Sequence, residues 1–167
     1  MTKHFWQTIG LGTVAGFRSM TAPALLSANL VKFHPQGLAG SPLRYLQKPL
    51  VATGLKLLAG AEMVGDKLPQ TSDRTAPPVL LGRLLSGALV GAALYRANHG
   101  KTRNGALLGA LVAGATTFGS SWLRKKATTE SGLPSALVGG FEDVLVLGCG
   151  LALSRGSSAG APVGYVL

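Results

Sequence analysis

A chain of 167 residues would ordinarily be one soluble domain, but 47% of these residues are hydrophobic, only 13% are charged, and mean hydropathy is +0.34. That is too little charge for a water-facing surface, whereas a protein solvated by lipid needs charge mainly at its ends and loops. A net charge of +10 invites a nucleic-acid reading. The basic residues instead crowd the short segments between apolar stretches, where phospholipid head groups would meet them, and aromatics at 6% are too few for a base-stacking surface. Nucleic acid is therefore not an expected partner.

In chain order, residues 5–31 read as a first transmembrane helix, kinked at Pro23, whose ring removes a backbone donor. Ala22-Pro23-Ala24 has the look of a signal cleavage site, but Arg18 interrupts the apolar core that a signal peptide requires, so the helix is expected to be retained. Four more apolar segments follow at 49–68, 78–95, 105–123 and 133–153, each near the ~20 residues that span about 30 Å of hydrocarbon. The linkers carry Pro35, Gly37, Gly40 and Pro42, then Asp73 and Arg74, then the basic stretches 96–104 and 124–132. The expectation is an all-α integral membrane protein of five helices in one domain, 1–167, with a tail at 154–167.

Glycines fall in pairs four apart: Gly12 and Gly16, Gly87 and Gly91, Gly105 and Gly109. Each pair lies on one helix face and lets another backbone approach closely. Gly10-Leu11-Gly12-Thr13-Val14-Ala15-Gly16 also resembles a loose dinucleotide loop, but no preceding strand and no acidic residue about 20 positions on support it. Cys149, between two glycines in an apolar run, reads as a packing residue, and no metal or cofactor is expected. A weak repeat relates Gly12–Gly16 to Leu111–Gly114 and Ala59–Glu62 to Gly139–Glu142. If the first two helices correspond to the last two, one intervening crossing makes the pairs inverted. On a five-crossing count, Lys3, Lys67, Arg74, Arg124, Lys125 and Lys126 face Lys32, Arg44, Lys48, Arg96, Lys101, Arg103 and Arg155, which is too even to fix orientation.

The chemistry should reside in charges inside the apolar segments: Arg18, Glu62, Asp66, Arg83, Glu142 and Asp143, with Lys56 able to snorkel. A charge at the bilayer centre costs about 2.5–3.5 kcal/mol on insertion scales, so these groups are expected to pair inside the bundle. His4, His34 and His99 lie in or near loops and support no histidine-centred chemistry.

Gly16-Phe17-Arg18 followed by Pro23, Glu62-Met63-Val64-Gly65-Asp66-Lys67-Leu68-Pro69, Gly82-Arg83 before Gly87, and Ser135 followed by Glu142-Asp143 together resemble an uncharacterised family of small bacterial membrane proteins, the domain of unknown function four-one-two-six. The resemblance covers nearly the whole chain and implies a helical protein of the inner membrane, but no activity. The chain departs from the family pattern at Thr116 and Thr117, where a histidine often sits. The expected role is passage or coupled transport of a small ion or polar solute through a midplane charged site, without enzymatic chemistry. The alternatives are a structural or assembly protein whose buried charges only fix helix packing, and an enzyme acting on a lipid. Expected partners are the lipid bilayer, the solute and, as an option, further copies of the chain.

Overall fold

The computed structural model describes residues 3–65 and 76–131, with positions 144 and 148, and every regular element among them is helical. Five α-helices follow in order: α1 (Lys3–Phe17), α2 (Thr21–Phe33), α3 (Pro49–Gly65), α4 (Pro77–Ala97) and α5 (Thr102–Ser131), with two 3-10 turns, Gln36–Leu38 and Pro42–Gln47, between α2 and α3. The fifth predicted segment, 133–153, lies outside the described residues apart from positions 144 and 148.

The first predicted helix is two. The chain leaves helical geometry at Arg18–Met20, upstream of Pro23, and Pro23 falls in the first turn of α2, where no intrahelical partner exists for its missing N–H. Contacts fix the directions. His4 at the start of α1 stacks edge-on against Tyr95 near the end of α4, with ring centroids 4.7 Å apart, whereas Ser19 meets Ser86, deeper in α4. After the break α2 turns back: Met20 lies beside Glu62, late in α3, while Ser27 Oγ donates to Leu46 O just before α3, at 2.6 Å. Gly37, after α2, sits against the Arg96 and Ala97 carbonyls at the end of α4. Thus α1 and α2 form a helical hairpin whose tip is Arg18-Ser19-Met20, with both outer ends at one end of the bundle. At about 1.5 Å per residue, the 15 residues of α1 and 13 of α2 each reach roughly 20 Å.

Glycine holds the bundle together. A methyl group on Gly91 would overlap Gly105 O, one on Gly109 would overlap Gly87 O, and one on Gly16 would come within 2.6 Å of Ala113 O. The backbones of α1, α4 and α5 therefore touch, which any side chain would prevent. Around this seam, Leu11, Val14, Leu26, Leu30, Leu38, Val90 and Leu94 fill the apolar core. Going down the seam, Thr8 meets Gly91 and Gly105 lies opposite it, then Gly12 meets Val112, then Gly16 meets Ala113 and Thr116. Residue numbers in α1 and α5 rise together, so these helices are parallel. An inverted relation between the Gly12 and Leu111 segments requires antiparallel helices, so this half of the expected repeat has the wrong sense; its other half, Gly139–Glu142, lies outside the described residues.

Helix ends follow local chemistry. Pro77 and Pro78 open α4 with φ already fixed for a helix. At its other end His99, at φ 57°, donates to Arg96 O, and Gly100 N donates to Tyr95 O at 2.7 Å, a Schellman closure with histidine where glycine is usual.

Candidate functional site at the hairpin tip

Breaking a helix inside a bundle strands backbone donors and acceptors, and each must be satisfied or it costs free energy. Glu62, reaching over from α3, satisfies the donors. Its carboxylate accepts from Ser19 N, Ser19 Oγ and Met20 N, each at 2.8 Å. It thus caps α2 from a distance in sequence, at the end where the peptide dipoles favour an anion. Met20, at the cap position itself, has no side-chain oxygen for the task, and no side-chain cap bond forms there.

The acceptors are met by hydroxyls of α4 and α5. Ser86 Oγ donates to Ser19 O, and Thr117 Oγ1 lies 3.0 Å from Gly16 O and 2.8 Å from Ala113 O. Arg18 N donates back to Val14 O at 2.8 Å, closing the last turn of α1. The Arg18 guanidinium, 3% exposed, approaches the main-chain carbonyl of Glu62 at 3.4 Å. Arg83 is 2% exposed and lies one turn of α4 from Ser86, on the face turned inward. Both arginines make further interactions. Thr21 Oγ1 is buried with no partner among the described residues.

Of the six residues expected to form the charge cluster, the structure brings Arg18 and Glu62 together and buries Arg83 on α4. Asp66, Glu142 and Asp143 lie outside the described residues. Of the chain's six acidic residues, Glu62 alone has a described side chain. Lys56 is exposed on α3. Sequence reasoning passed over Ser19, Met20 and Ser86, and marked Thr117 only as a departure from the family pattern. A signal for the first two was present: Ser19 and Thr21 bracket the point where a proline three or four positions on belongs to a first helical turn, a helix start rather than a kink. Among the described residues no group of three or more metal-ligating side chains forms.

A glycine-sealed helical bundle that buries two arginines beside a capped helix hairpin defines an all-α protein built around an internal polar tip. The chain belongs to the family described as Domain of unknown function (DUF4126), whose model matches residues 6–155. No curated protein and no solved structure matches it.

Proposed function

We propose that the chain is a multi-pass membrane protein that passes a small ion or polar solute along the polar hairpin tip. The observation that carries this reading is the distribution of side chains. Leu50, Leu57, Leu85, Leu111 and Val64 are 60% exposed or more, while Arg18, Arg83, Ser27, Ser86, Thr117 and Ser120 are buried. An apolar exterior around a charged interior suits lipid as solvent. Two helices, Pro77–Ala97 and Thr102–Leu123, are long and apolar enough to cross a membrane. Residues 104–123 of α5 carry no charge, and at about 1.5 Å per residue they cover roughly 30 Å. Exposed Trp6 and Tyr45 at one end and Trp122 at the other fit the two aromatic belts of a membrane protein. From Thr102, Thr117 lies roughly 22 Å along α5, so the tip falls well inside such a slab. Non-helical backbone at that depth is tolerated where it is buried in protein or lines a polar path.

The hairpin also revises orientation. Lys3, Lys32, Arg44, Lys48, Arg96, Lys101 and Arg103 all belong to the end where α1 begins, whereas Lys67, Arg74, Arg124, Lys125 and Lys126 belong by sequence to the other. Seven against five favours a cytoplasmic location for the first end. Cysteine labels at positions 2, 40 and 100, in a variant lacking Cys149, should all report that compartment. A label at position 2 reporting the opposite side would restore a spanning first helix.

Flux is tested in liposomes carrying proton-, sodium- and chloride-sensitive dyes. At least one ion should move well above the protein-free background, and Arg83→Gln should abolish that movement while the unfolding temperature is kept. A folded, inserted protein that moves none of the three removes ion passage. The second reading, a structural protein, is favoured by one observation: the Glu62 carboxylate is already occupied as a helix cap. In that case Arg83→Gln lowers stability, and no flux exists to lose.

A further inference from the structure

Among the described residues, the end of the bundle where α1 begins is basic and carries no acidic side chain. Residues 1–61 and 76–129 contain no Asp or Glu. Lys32, Arg44, Lys48, Arg96, Lys101 and Arg103 are all exposed. The two loops that carry them are joined: Gly37 packs on the Arg96 and Ala97 carbonyls, and Gln47 Nε2 donates to Pro35 O at 2.9 Å. The cations are also arranged. Lys48 Nζ lies 4.8 Å and Arg44 Cζ 5.5 Å from the centre of the Tyr45 ring, which is 49% exposed. One aromatic ring thus gathers two like charges with no acidic side chain beside them among the described residues. Directly after Lys48, α3 presents Leu50 and Leu57, 84% and 71% exposed and two helical turns apart, so they form one apolar stripe running away from the cations.

We infer that this edge binds an anionic phospholipid, with the phosphate held between Arg44 and Lys48 beside Tyr45 and an acyl chain along Leu50 and Leu57. Charge complementarity selects the head group and the leucine stripe selects a molecule with a hydrocarbon tail, so neither free phosphate nor nucleic acid satisfies both halves. The inference rests on the membrane reading above but not on solute passage.

Purified protein in detergent micelles, given equal amounts of phosphatidylglycerol and phosphatidylcholine, should retain the anionic lipid about tenfold more in native mass spectra, as expected for a few uncompensated cations near an anionic head group. The double variant R44Q/K48Q alters only exposed side chains and should lose most of that preference with its unfolding temperature unchanged. K125Q/K126Q, on the last part of α5, should keep it. Excess glycerol phosphate, which has the head-group phosphate but no tail, should not displace the lipid. Equal retention of the two lipids, full preference in R44Q/K48Q, or displacement by glycerol phosphate or a short oligonucleotide would each overturn the inference. Extraction of the protein from membranes by alkaline carbonate would overturn the membrane reading as well. Retention in the membrane without lipid preference would overturn the lipid site alone.

Discussion

The glycine seam between α4 and α5 and the tip of the α1–α2 hairpin hold backbone to backbone by opposite means. In the seam nothing is added: Gly87 and Gly91 face Gly109 and Gly105 so closely that main chain touches main chain, and the helices keep their own hydrogen bonds. At the tip the helix is interrupted, and side chains from α3, α4 and α5 supply what the break removed. A seam fails when an atom is added, and a tip fails when one is taken away. Substitutions in the two regions should therefore separate by mechanism as well as by size.

The largest effect is expected in the seam. Gly91→Val places branched carbon where Gly105 O already stands, and its two nearest neighbours there are backbone rather than a movable side-chain end. Overpacking of a filled core commonly costs about 1–3 kcal/mol, and rigid backbone on both sides puts this site at or above the upper figure. Thermal unfolding in detergent should show little or no folded protein. A normal transition would mean that α4 and α5 can separate without loss, and the contrast with the tip would disappear.

Next comes Glu62→Ala, which leaves Ser19 N, Ser19 Oγ and Met20 N without their acceptor. Buried donors left unmade cost about 1–3 kcal/mol each, but Glu62 is only half-buried and water can reach part of the gap, so a loss of about 2–3 kcal/mol is expected. Glu62→Gln keeps one acceptor oxygen and turns an amide donor toward other donors, so it should fall between the wild type and Glu62→Ala. Hydrogen exchange should rise at Ser19 and Met20 before it rises in α4. Uniform loosening of the whole bundle would show that the carboxylate is not a local cap.

How much of this was legible follows from the range of the contacts. Helices are encoded locally, by apolar runs, prolines at their starts and polar linkers, so the all-helical character of the described residues is readable one segment at a time. The spacing of Gly87 and Gly91 marks a helix face, yet it does not say that α5 is the helix opposite. The hairpin was not readable as residues 5–31, because its tip is stabilised by Glu62, 43 residues from Ser19, and by Thr117, 101 residues from Gly16. Without those partners a continuous helix kinked at Pro23 is the cheaper local guess. The inverted relation expected between the Gly12 and Leu111 segments failed for the same reason, since it depended on how often the chain reverses.

A smaller effect separates the hydroxyls from the carboxylate. Thr117→Val preserves shape and buried area while removing the donor to Gly16 O, so the loss should be about 1 kcal/mol, as for one neutral hydrogen bond. Ser86→Ala should behave similarly through Ser19 O. Because Thr117 also lies within reach of Ala113 O in its own helix, a null result there with a clear loss at Ser86 would assign that hydroxyl to α5 rather than to the tip.

The smallest effect is expected where glycines touch nothing. A methyl group at Gly54 or Gly60 would meet no atom of the described residues within 4 Å, unlike one in the seam. Alanine has the better helix propensity by about 1 kcal/mol, so Gly54→Ala and Gly60→Ala should leave stability unchanged or raise it by up to that amount. The sign matters because α3 also exposes Leu57, Leu58 and Val64. If only lipid covers this face, the added methyl is solvated by acyl chains and the propensity gain survives. If a second copy of the chain packs there through its own small residues, the methyl intrudes on that contact. Gly54→Ala would then lower the unfolding temperature and shift the protein toward monomer in light scattering, making α3 a second seam between molecules.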